Sequence, residues 1–183
     1  MQVEALAIPD VKLIKPKRFD DARGYFEQTY HQVDYVKQGI QAEFVQDNFS
    51  KSSRGVLRGL HYQLNNSQAK LVSVFSGAVY DVAVDLRRSS PFFGRWVAAE
   101  LSAENGHQLF VPRGFAHGFL VLSETVGLYY KCDALYAPGD EYTIRWDDAK
   151  LGINWPLHDA PLVSDKDAQA DFLDAIDSKL LFA

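Results

Sequence analysis

The sequence predicts an all-β protein in which short strands form a sandwich or a closed barrel such as a jelly roll. Many short apolar runs alternate with turn residues at regular spacing, as strands in such folds do. Aromatic residues make up 13% of the chain, and aromatic side chains favour strands. Long helices that alternate with strands are absent, which argues against a parallel α/β fold. The 183 residues suit one domain, 1–183, with its own core.

The predicted strands follow one another along the chain, and glycine, proline and aspartate residues mark the turns between them. They span residues 11–14, 24–29, 44–48, 55–63, 70–76, 78–86, 95–101, 108–111, 118–122, 125–131 and 142–145. Residues 19–23 are polar and predict a turn. Helix is predicted at 32–38, where Gly39 supplies a C-terminal stop, and again at 164–176. Gly77 separates two strands and predicts a hairpin.

Composition and charge narrow the class of function. The net charge of −5 argues against a general nucleic-acid binder, although a few local arginines and lysines could still hold a small anionic ligand. Cys132 is the only cysteine, so the chain has neither a disulfide framework nor a cysteine metal site. The N-terminal residues do not resemble a signal peptide, and no apolar run approaches membrane-spanning length. We therefore expect a cytoplasmic protein.

The strand at 55–63 carries two side chains that suggest chemistry. Strict alternation places His61 on the face of Leu57 and Arg58 on the opposite face. If both serve one site, the strand must break register between them, and Gly59 is the expected position of that bulge. The alternative is a barrel strand with Arg58 in solvent and His61 as a hydrogen-bonded core histidine. The strand pattern leaves both possibilities open.

A metal site is not expected. The sequence contains no dinucleotide-binding glycine motif, no P-loop and no HExxH motif. No second histidine follows His61 two residues on, and His107, His117 and His158 are isolated. A three-ligand site would need distant single residues to converge, which argues against a metal-dependent β-barrel enzyme.

Several single polar residues remain as candidates for chemistry. His61 could be a base, since its unperturbed pKa lies close to physiological pH. Lys70 could point inward as a cation or outward as a surface lysine, and Tyr130 could be an acid or a core residue. Asp167 follows Ser164 at capping-box spacing, so spacing alone favours a helix cap.

Two further aspartates lie within the strand at 78–86. Asp81 and Asp85 share one face of it, opposite Val82 and Val84. The alternation leaves open whether one or both of them face solvent.

Long strings of the sequence resemble the dTDP-4-dehydrorhamnose 3,5-epimerase family in order, from about Ile8 to Asp167. The strings that carry the resemblance are 44–48 (FVQDN), 55–63 (GVLRGLHYQ), 81–85 (DVAVD), 101–105 (LSAEN) and 112–119 (PRGFAHGF). The resemblance implies a metal-free cupin jelly roll with no cofactor that is typically a homodimer. It also implies an enzyme that inverts C3 and C5 of a dTDP-linked 4-keto-6-deoxy sugar in dTDP-L-rhamnose biosynthesis.

The resemblance also implies a role for individual residues. His61 matches the catalytic base, Asp167 the carboxylate that orients it, Tyr130 the acid on the opposite face of the sugar, and Lys70 the cation near the C4 oxygen. Tyr136 matches an aromatic residue that stacks on the thymine. The remaining positions that match substrate contacts are Phe19, Arg23, Phe26, Gln28, Gln46, Asp47, Asn48, Arg58, His117, Glu141 and Lys166.

Four residues depart from the family pattern. Gln28 and Phe49 stand where glutamate and histidine are common, Ala69 replaces a glycine before Lys70, and Leu135 replaces an aromatic residue. These departures concern nucleotide selectivity more than proton chemistry. The alternatives within reach of the sequence are a single-site epimerase that inverts only C3 or only C5, and a non-catalytic nucleotide-sugar-binding cupin.

Overall fold

A computed structural model describes the whole chain, residues 1–183. Its strands are β1 (Gln2–Ala5), β2 (Lys12–Lys15), β3 (Arg18–Asp21), β4 (Gly24–Glu27), β5 (Gln46–Ser53), β6 (Leu57–Gln63), β7 (Lys70–Ser76), β8 (Ala78–Asp85), β9 (Trp96–Ser102), β10 (Gln108–Val111), β11 (Phe115–Val121), β12 (Thr125–Cys132) and β13 (Glu141–Thr143). Helices are short: α1 (Gln32–Lys37), α2 (Asp165–Ala168), and 3₁₀ turns at Pro138–Asp140, Leu173–Ala175 and Ser178–Leu180. The predicted all-β class is therefore confirmed.

Two antiparallel sheets face each other as in a jelly roll. The six-stranded sheet has the order β1-β2-β10-β7-β12-β5, and the five-stranded sheet has the order β13-β6-β11-β8-β9. Strands β3 and β4 form a separate two-stranded hairpin. One edge of the six-stranded sheet is β5, and one edge of the five-stranded sheet is β13.

The main core lies between the two sheets and a second apolar layer covers the five-stranded sheet. Fifteen buried residues, including Val79 and Ala83 of β8, form the inner cluster. Val82 and Val84 of the same strand belong to the outer cluster, together with Leu173 and Leu181 of the C-terminal segment. The alternation predicted for this strand is confirmed, because successive side chains enter opposite layers.

The predicted hairpin at Gly77 is wrong, although both strands exist. Strand β7 pairs with β10 and β12, whereas β8 pairs with β11 and β9 in the opposite sheet. Gly77 has a φ of +75°, and a Cβ there would lie 2.1 Å from the carbonyl oxygen of Thr125. The glycine is therefore needed where the chain crosses from one sheet to the other.

The turn predicted at residues 19–23 is limited to Ala22 and Arg23, because β3 occupies residues 19–21 and pairs with β4 from Arg18 opposite Glu27 to Asp21 opposite Gly24. Both strands are largely exposed, so neither face needs the apolar alternation that signals a strand. The sequence pattern did not predict strand β1 either, because three of its four residues are exposed.

The helix predicted at 164–176 is limited to α2 and one 3₁₀ turn. Asp171 instead forms a bridge with Ile144, and its carbonyl accepts a hydrogen bond from the Arg145 amide at 2.9 Å. Hydrogen bonds to the sheet therefore replace the helical hydrogen bonds that the sequence pattern predicted for this backbone. The other predicted strands are present with shifted ends, most clearly β5, which continues to Ser53. No helix of the chain is long and apolar enough to cross a membrane.

Candidate active site

A polar cavity of about 280 Å³ opens where the edges of the two sheets meet. Strand β5, the end of β12 and the first residue of β7, all in the six-stranded sheet, supply one wall, and β6 and β13 of the five-stranded sheet supply the other. The lining residues are Gln46, Asn48, His61, Tyr62, Gln63, Gln68, Lys70, Tyr130, Tyr136 and Glu141. Seven of them belong to the residue set predicted from the sequence.

The register break predicted at Gly59 is confirmed. Strand β11 pairs His117 with His61 but Phe119 with Arg58, so β6 contains one more residue than its partner over this stretch. Gly59 has a φ of +130°, and a Cβ there would lie 2.6 Å from the Cα of Gly118. Only glycine fits this close approach, and the bulge places Arg58 and His61 on the same face of the sheet.

His61 is hydrogen-bonded to a buried carboxylate. Its Nε2 lies 2.6 Å from Oδ1 of Asp167, which is only 2% exposed, and Oδ2 of Asp167 accepts the Gly59 amide at 3.2 Å. Burial would raise the pKa of Asp167, but the hydrogen bond to His61, the His61 charge and the Gly59 amide outweigh it, so the pKa is lowered. The carboxylate thus stays ionised, and Nδ1 is the ring nitrogen left for a ligand.

The capping and the His61 contact at Asp167 occur together. Ser164 Oγ accepts the Asp167 amide at 3.2 Å and caps α2. The cap uses the main chain of Asp167, so its side chain remains available to His61. The two interpretations that the sequence set against each other are compatible.

Tyr130 and Lys70 face His61 from the six-stranded sheet. Burial raises the pKa of Tyr130, with further contributions from Cys132 and Glu141, so the phenol is neutral and able to donate a proton. Burial lowers the pKa of Lys70, whose Nζ lies 5.9 Å from the Tyr130 ring centroid. A phenol and an amine therefore share the wall opposite the histidine.

Other predicted residues surround the mouth of the cavity. Tyr136 donates its hydroxyl to Glu141 at 3.3 Å, and Glu141 also pairs with Lys166 of α2. Arg58 reaches across to Ser52 Oγ at 3.2 Å. The contacts of Glu141 with Tyr136 and Lys166 join the mouth of the cavity to α2, the helix that carries Asp167.

Two predicted residues make contacts that the sequence did not anticipate. His117 is 7% exposed, and its Nε2 lies 2.9 and 3.0 Å from the carboxylate oxygens of Asp81. Asp47 does not line the cavity but pairs with Lys131 at 2.7 Å. Both Asp81 and Asp85 are fully buried, which settles the question left open by the strand pattern against solvent exposure.

The candidates on the β3–β4 hairpin and just after it lie away from the cavity. None of Phe19, Arg23, Phe26 and Gln28 lines it. Phe19 and Phe26 are 51% and 68% exposed, with ring centroids 6.4 Å apart, and Arg23 pairs with Asp21. Within one chain these residues are therefore separate from His61.

Three residues line the cavity but were not predicted as site residues: Tyr62, Gln63 and Gln68. Gln63 shares the alternation face of His61, so the strand pattern could have indicated it. Gln68 lies in a loop, where no periodicity predicts side-chain direction.

The chain is similar to known proteins over nearly its whole length. The sequence profile of the family described as dTDP-4-dehydrorhamnose 3,5-epimerase matches residues 5–175. The dTDP-4-dehydrorhamnose 3,5-epimerase of Pseudomonas aeruginosa is 54% identical over 177 residues, covering 96% of this chain and 98% of that protein. The structure of dTDP-6-deoxy-D-glucose-3,5-epimerase from Legionella pneumophila, in complex with dTDP-4-keto-L-rhamnose, is 48% identical with a TM-score of 0.97 and covers 99% of this chain and 97% of that one. A 3'-monoepimerase from Streptomyces bikiniensis, in complex with dTDP-quinovose, is 34% identical with a TM-score of 0.90, covering 97% and 91% of the two chains.

Proposed function

The chain belongs to the dTDP-4-dehydrorhamnose 3,5-epimerase family, and from this we propose that it converts dTDP-4-dehydro-6-deoxy-D-glucose to dTDP-4-dehydro-L-rhamnose. It is an isomerase, and this reaction belongs to dTDP-L-rhamnose biosynthesis. The 4-keto group makes the protons on C3 and C5 acidic, so both centres can be inverted without redox chemistry. Each inversion removes a proton from one face of the sugar, forms an enolate and returns a proton to the other face.

His61 is the proposed base, and its contact with Asp167 is the observation that carries the proposal. A carboxylate 2.6 Å from Nε2 fixes the tautomer that leaves Nδ1 unprotonated. The same carboxylate stabilises the imidazolium that forms when Nδ1 takes the C3 or C5 proton. One base therefore serves both carbons from one face of the ring.

Tyr130 is the proposed acid and Lys70 the proposed electrostatic partner of the enolate. The raised pKa keeps the Tyr130 proton in place until the enolate needs it. Lys70 is suited to the negative charge on the C4 oxygen, and in an enclosed site one such donor is worth roughly 3 kcal/mol. Binding the enolate oxygen would favour the charged form of Lys70, opposing the effect of burial.

The nucleotide is proposed to bind at the mouth of the cavity. Arg58 suits the diphosphate, because a guanidinium makes paired hydrogen bonds to phosphate oxygens. Tyr136 is half exposed and suits stacking on thymine. The remaining proposed contacts from this chain are Gln46, Asp47, Asn48, His117, Glu141 and Lys166.

A homodimer would bring in the residues that lie away from the cavity. Phe19, Arg23, Phe26 and Gln28 match substrate-contacting positions, yet none of them lines the cavity of its own chain. We propose that the hairpin and Gln28 of one copy reach the site of a second copy in the cytoplasm. The exposure of both phenylalanines on a separate two-stranded hairpin supports this arrangement.

A single-site epimerase remains the second candidate, because the Streptomyces bikiniensis 3'-monoepimerase has the same fold. Incubation with dTDP-4-dehydro-6-deoxy-D-glucose in deuterium oxide, followed by NMR, reports exchange at C3 and C5 separately. Exchange and inversion at both carbons are expected. Exchange at one carbon alone would indicate the single-site reaction, and exchange at neither would reject the proposed function.

A further inference from the structure

Residues 134–137, which carry Tyr136, lack the support of a sheet. They lie between the end of β12 and the 3₁₀ turn Pro138–Asp140 and belong to no strand or helix. Backbone N–H and C=O groups near a protein interior still need partners. The Ala137 carbonyl accepts the main-chain amide of Asp140, and the other partners found here are side chains that line the cavity.

Gln63 holds this segment with both ends of its amide. Its Oε1 accepts the Ala137 amide at 2.8 Å, and its Nε2 donates to the Leu135 carbonyl at 3.2 Å. Nε2 also donates to the Asn66 carbonyl at 2.8 Å. The side chain is 5% exposed, so one fixed amide connects the flanks of Tyr136 to the loop after β6.

Two further glutamines bind the same segment. Gln46 Oε1 accepts the Tyr136 amide at 2.8 Å, and Gln68 Nε2 donates to the Ala134 carbonyl at 2.8 Å. Both side chains line the cavity, as Gln63 does. Three cavity glutamines thus use their amides on the backbone around one aromatic residue.

A buried carboxylate fixes the far end of the arrangement. Asp140 accepts hydrogen bonds from the main-chain and side-chain nitrogens of Asn65 and Asn66, at distances of 2.6 to 3.3 Å. The loop that carries Gln68 is therefore tied to the turn that follows residues 134–137.

We propose that Gln63 and Gln68 are positioning residues for the nucleotide: they hold residues 134–137 so that the Tyr136 ring is presented to the base. This inference rests on the proposed function, in which Tyr136 stacks on thymine. A segment held by three side chains at two ends and in the middle loses little further entropy when the ring is stacked. Removing one amide leaves the ring present but no longer fixed.

The test compares Gln63→Met with Gln108→Met, measuring dTDP affinity by calorimetry and the KM and kcat of proton exchange. Methionine keeps the length of glutamine and removes the amide. Gln108 is the matched control, because it is 2% exposed and its amide also makes three hydrogen bonds, to Tyr35, Thr29 and Ser73, outside the cavity.

We expect Gln63→Met to weaken dTDP binding and raise KM by about two- to tenfold, the range for lost neutral hydrogen bonds, with kcat within about twofold of wild type. Gln108→Met should lower the melting temperature without changing dTDP affinity. In a Tyr136→Ala background, Gln63→Met should weaken dTDP binding by less than about twofold, because it acts through the missing ring.

Additive effects of Gln63→Met and Tyr136→Ala, or an equal loss of affinity in Gln108→Met, would overturn the positioning role. If Gln63→Met does not fold, Gln68→Met, which removes one hydrogen bond, can be combined with Tyr136→Ala in the same double-mutant cycle. A wild-type chain that fails to bind dTDP would reject the proposed function and this inference with it. If the wild-type chain binds dTDP but the effects of the two substitutions on affinity are additive, the inference alone is rejected.

Discussion

Asp167→Asn changes one atom at the centre of the proposed mechanism and leaves the helix cap in place. Ser164 Oγ accepts the main-chain amide of residue 167, which the substitution does not alter. The loss of charge-assisted hydrogen bonds to His61 and Gly59 should cost about 1–2 kcal/mol, equivalent to about 2–8 °C in melting temperature for a chain of this size. The variant should therefore be folded at room temperature.

Turnover should fall because an asparagine amide has one acceptor where Asp167 has two. If its oxygen accepts the Gly59 amide, its NH₂ group donates to Nε2 of His61, and the ring proton moves to Nδ1. That tautomer blocks the proposed base. In the reversed orientation the amide oxygen accepts from Nε2 of His61, and the buried Gly59 N–H is left unpaired. This costs about 1–3 kcal/mol, equivalent to roughly a 5- to 150-fold loss of turnover. Loss of the charge that stabilises the imidazolium adds to this, so we expect a total fall of about 10²–10⁴.

The assay is deuterium exchange at C3 and C5, measured alongside the melting temperature. Asp148→Asn is the matched control, since Asp148 is a buried carboxylate that accepts the amides of Lys150 and Leu173 and does not line the cavity. It should lose stability and keep its turnover. If Asp167→Asn exchanges protons at the wild-type rate, Asp167 acts only in capping the helix and does not orient His61. An equal loss of turnover in Asp148→Asn would attribute the effect to general destabilisation.

Four further outcomes are expected. His61→Ala should reduce exchange at both carbons by about 10²–10⁴, and NMR showing near wild-type deuterium uptake at either carbon would identify another base. Tyr130→Phe should lose inverted product more than it loses exchange, because proton removal by His61 needs no phenol; full inversion by this variant would exclude Tyr130 as the acid. Activity should survive exhaustive chelation, since no group of three or more His, Cys, Asp or Glu side chains could hold a metal ion, and loss of activity together with a stoichiometric metal would contradict this. Burial raises the pKa of Tyr62 from 10.0 to about 12. The unfolded chain therefore releases this proton first, and stability should fall as the pH rises between these values. Denaturant unfolding should show a shallower fall for Tyr62→Phe, and an unchanged slope would refute the assignment.

Local patterns predicted those features that depend on neighbouring residues. The alternation of Asp81, Val82, Ala83 and Val84 between two layers follows from the period of a strand and was read correctly. The break at Gly59 was also predictable, because Arg58 and His61 could not otherwise serve one site.

Features without a local signal were missed or misassigned. The exposed hairpin of β3 and β4 buries no face, so its strands lack the pattern of a half-buried sheet. Gly77 indicated a change of direction, but a glycine between two strands does not specify whether they pair or enter opposite sheets. The roles of Gln63 and Gln68 depend on residues 134–137, which no periodicity links to them.

The amino-acid sequence was sufficient for the β class, for most strand positions and, through the resemblance of long strings, for the family. Folding alone brought His61 within 2.6 Å of Asp167, which lies 106 residues away, and set three glutamines against the backbone around Tyr136. It also left the hairpin candidates outside the cavity of their own chain. The physical reason is that side-chain direction along a strand is a local property with a period of two residues. Which strands become neighbours depends instead on the burial of the whole apolar surface and the pairing of every backbone group.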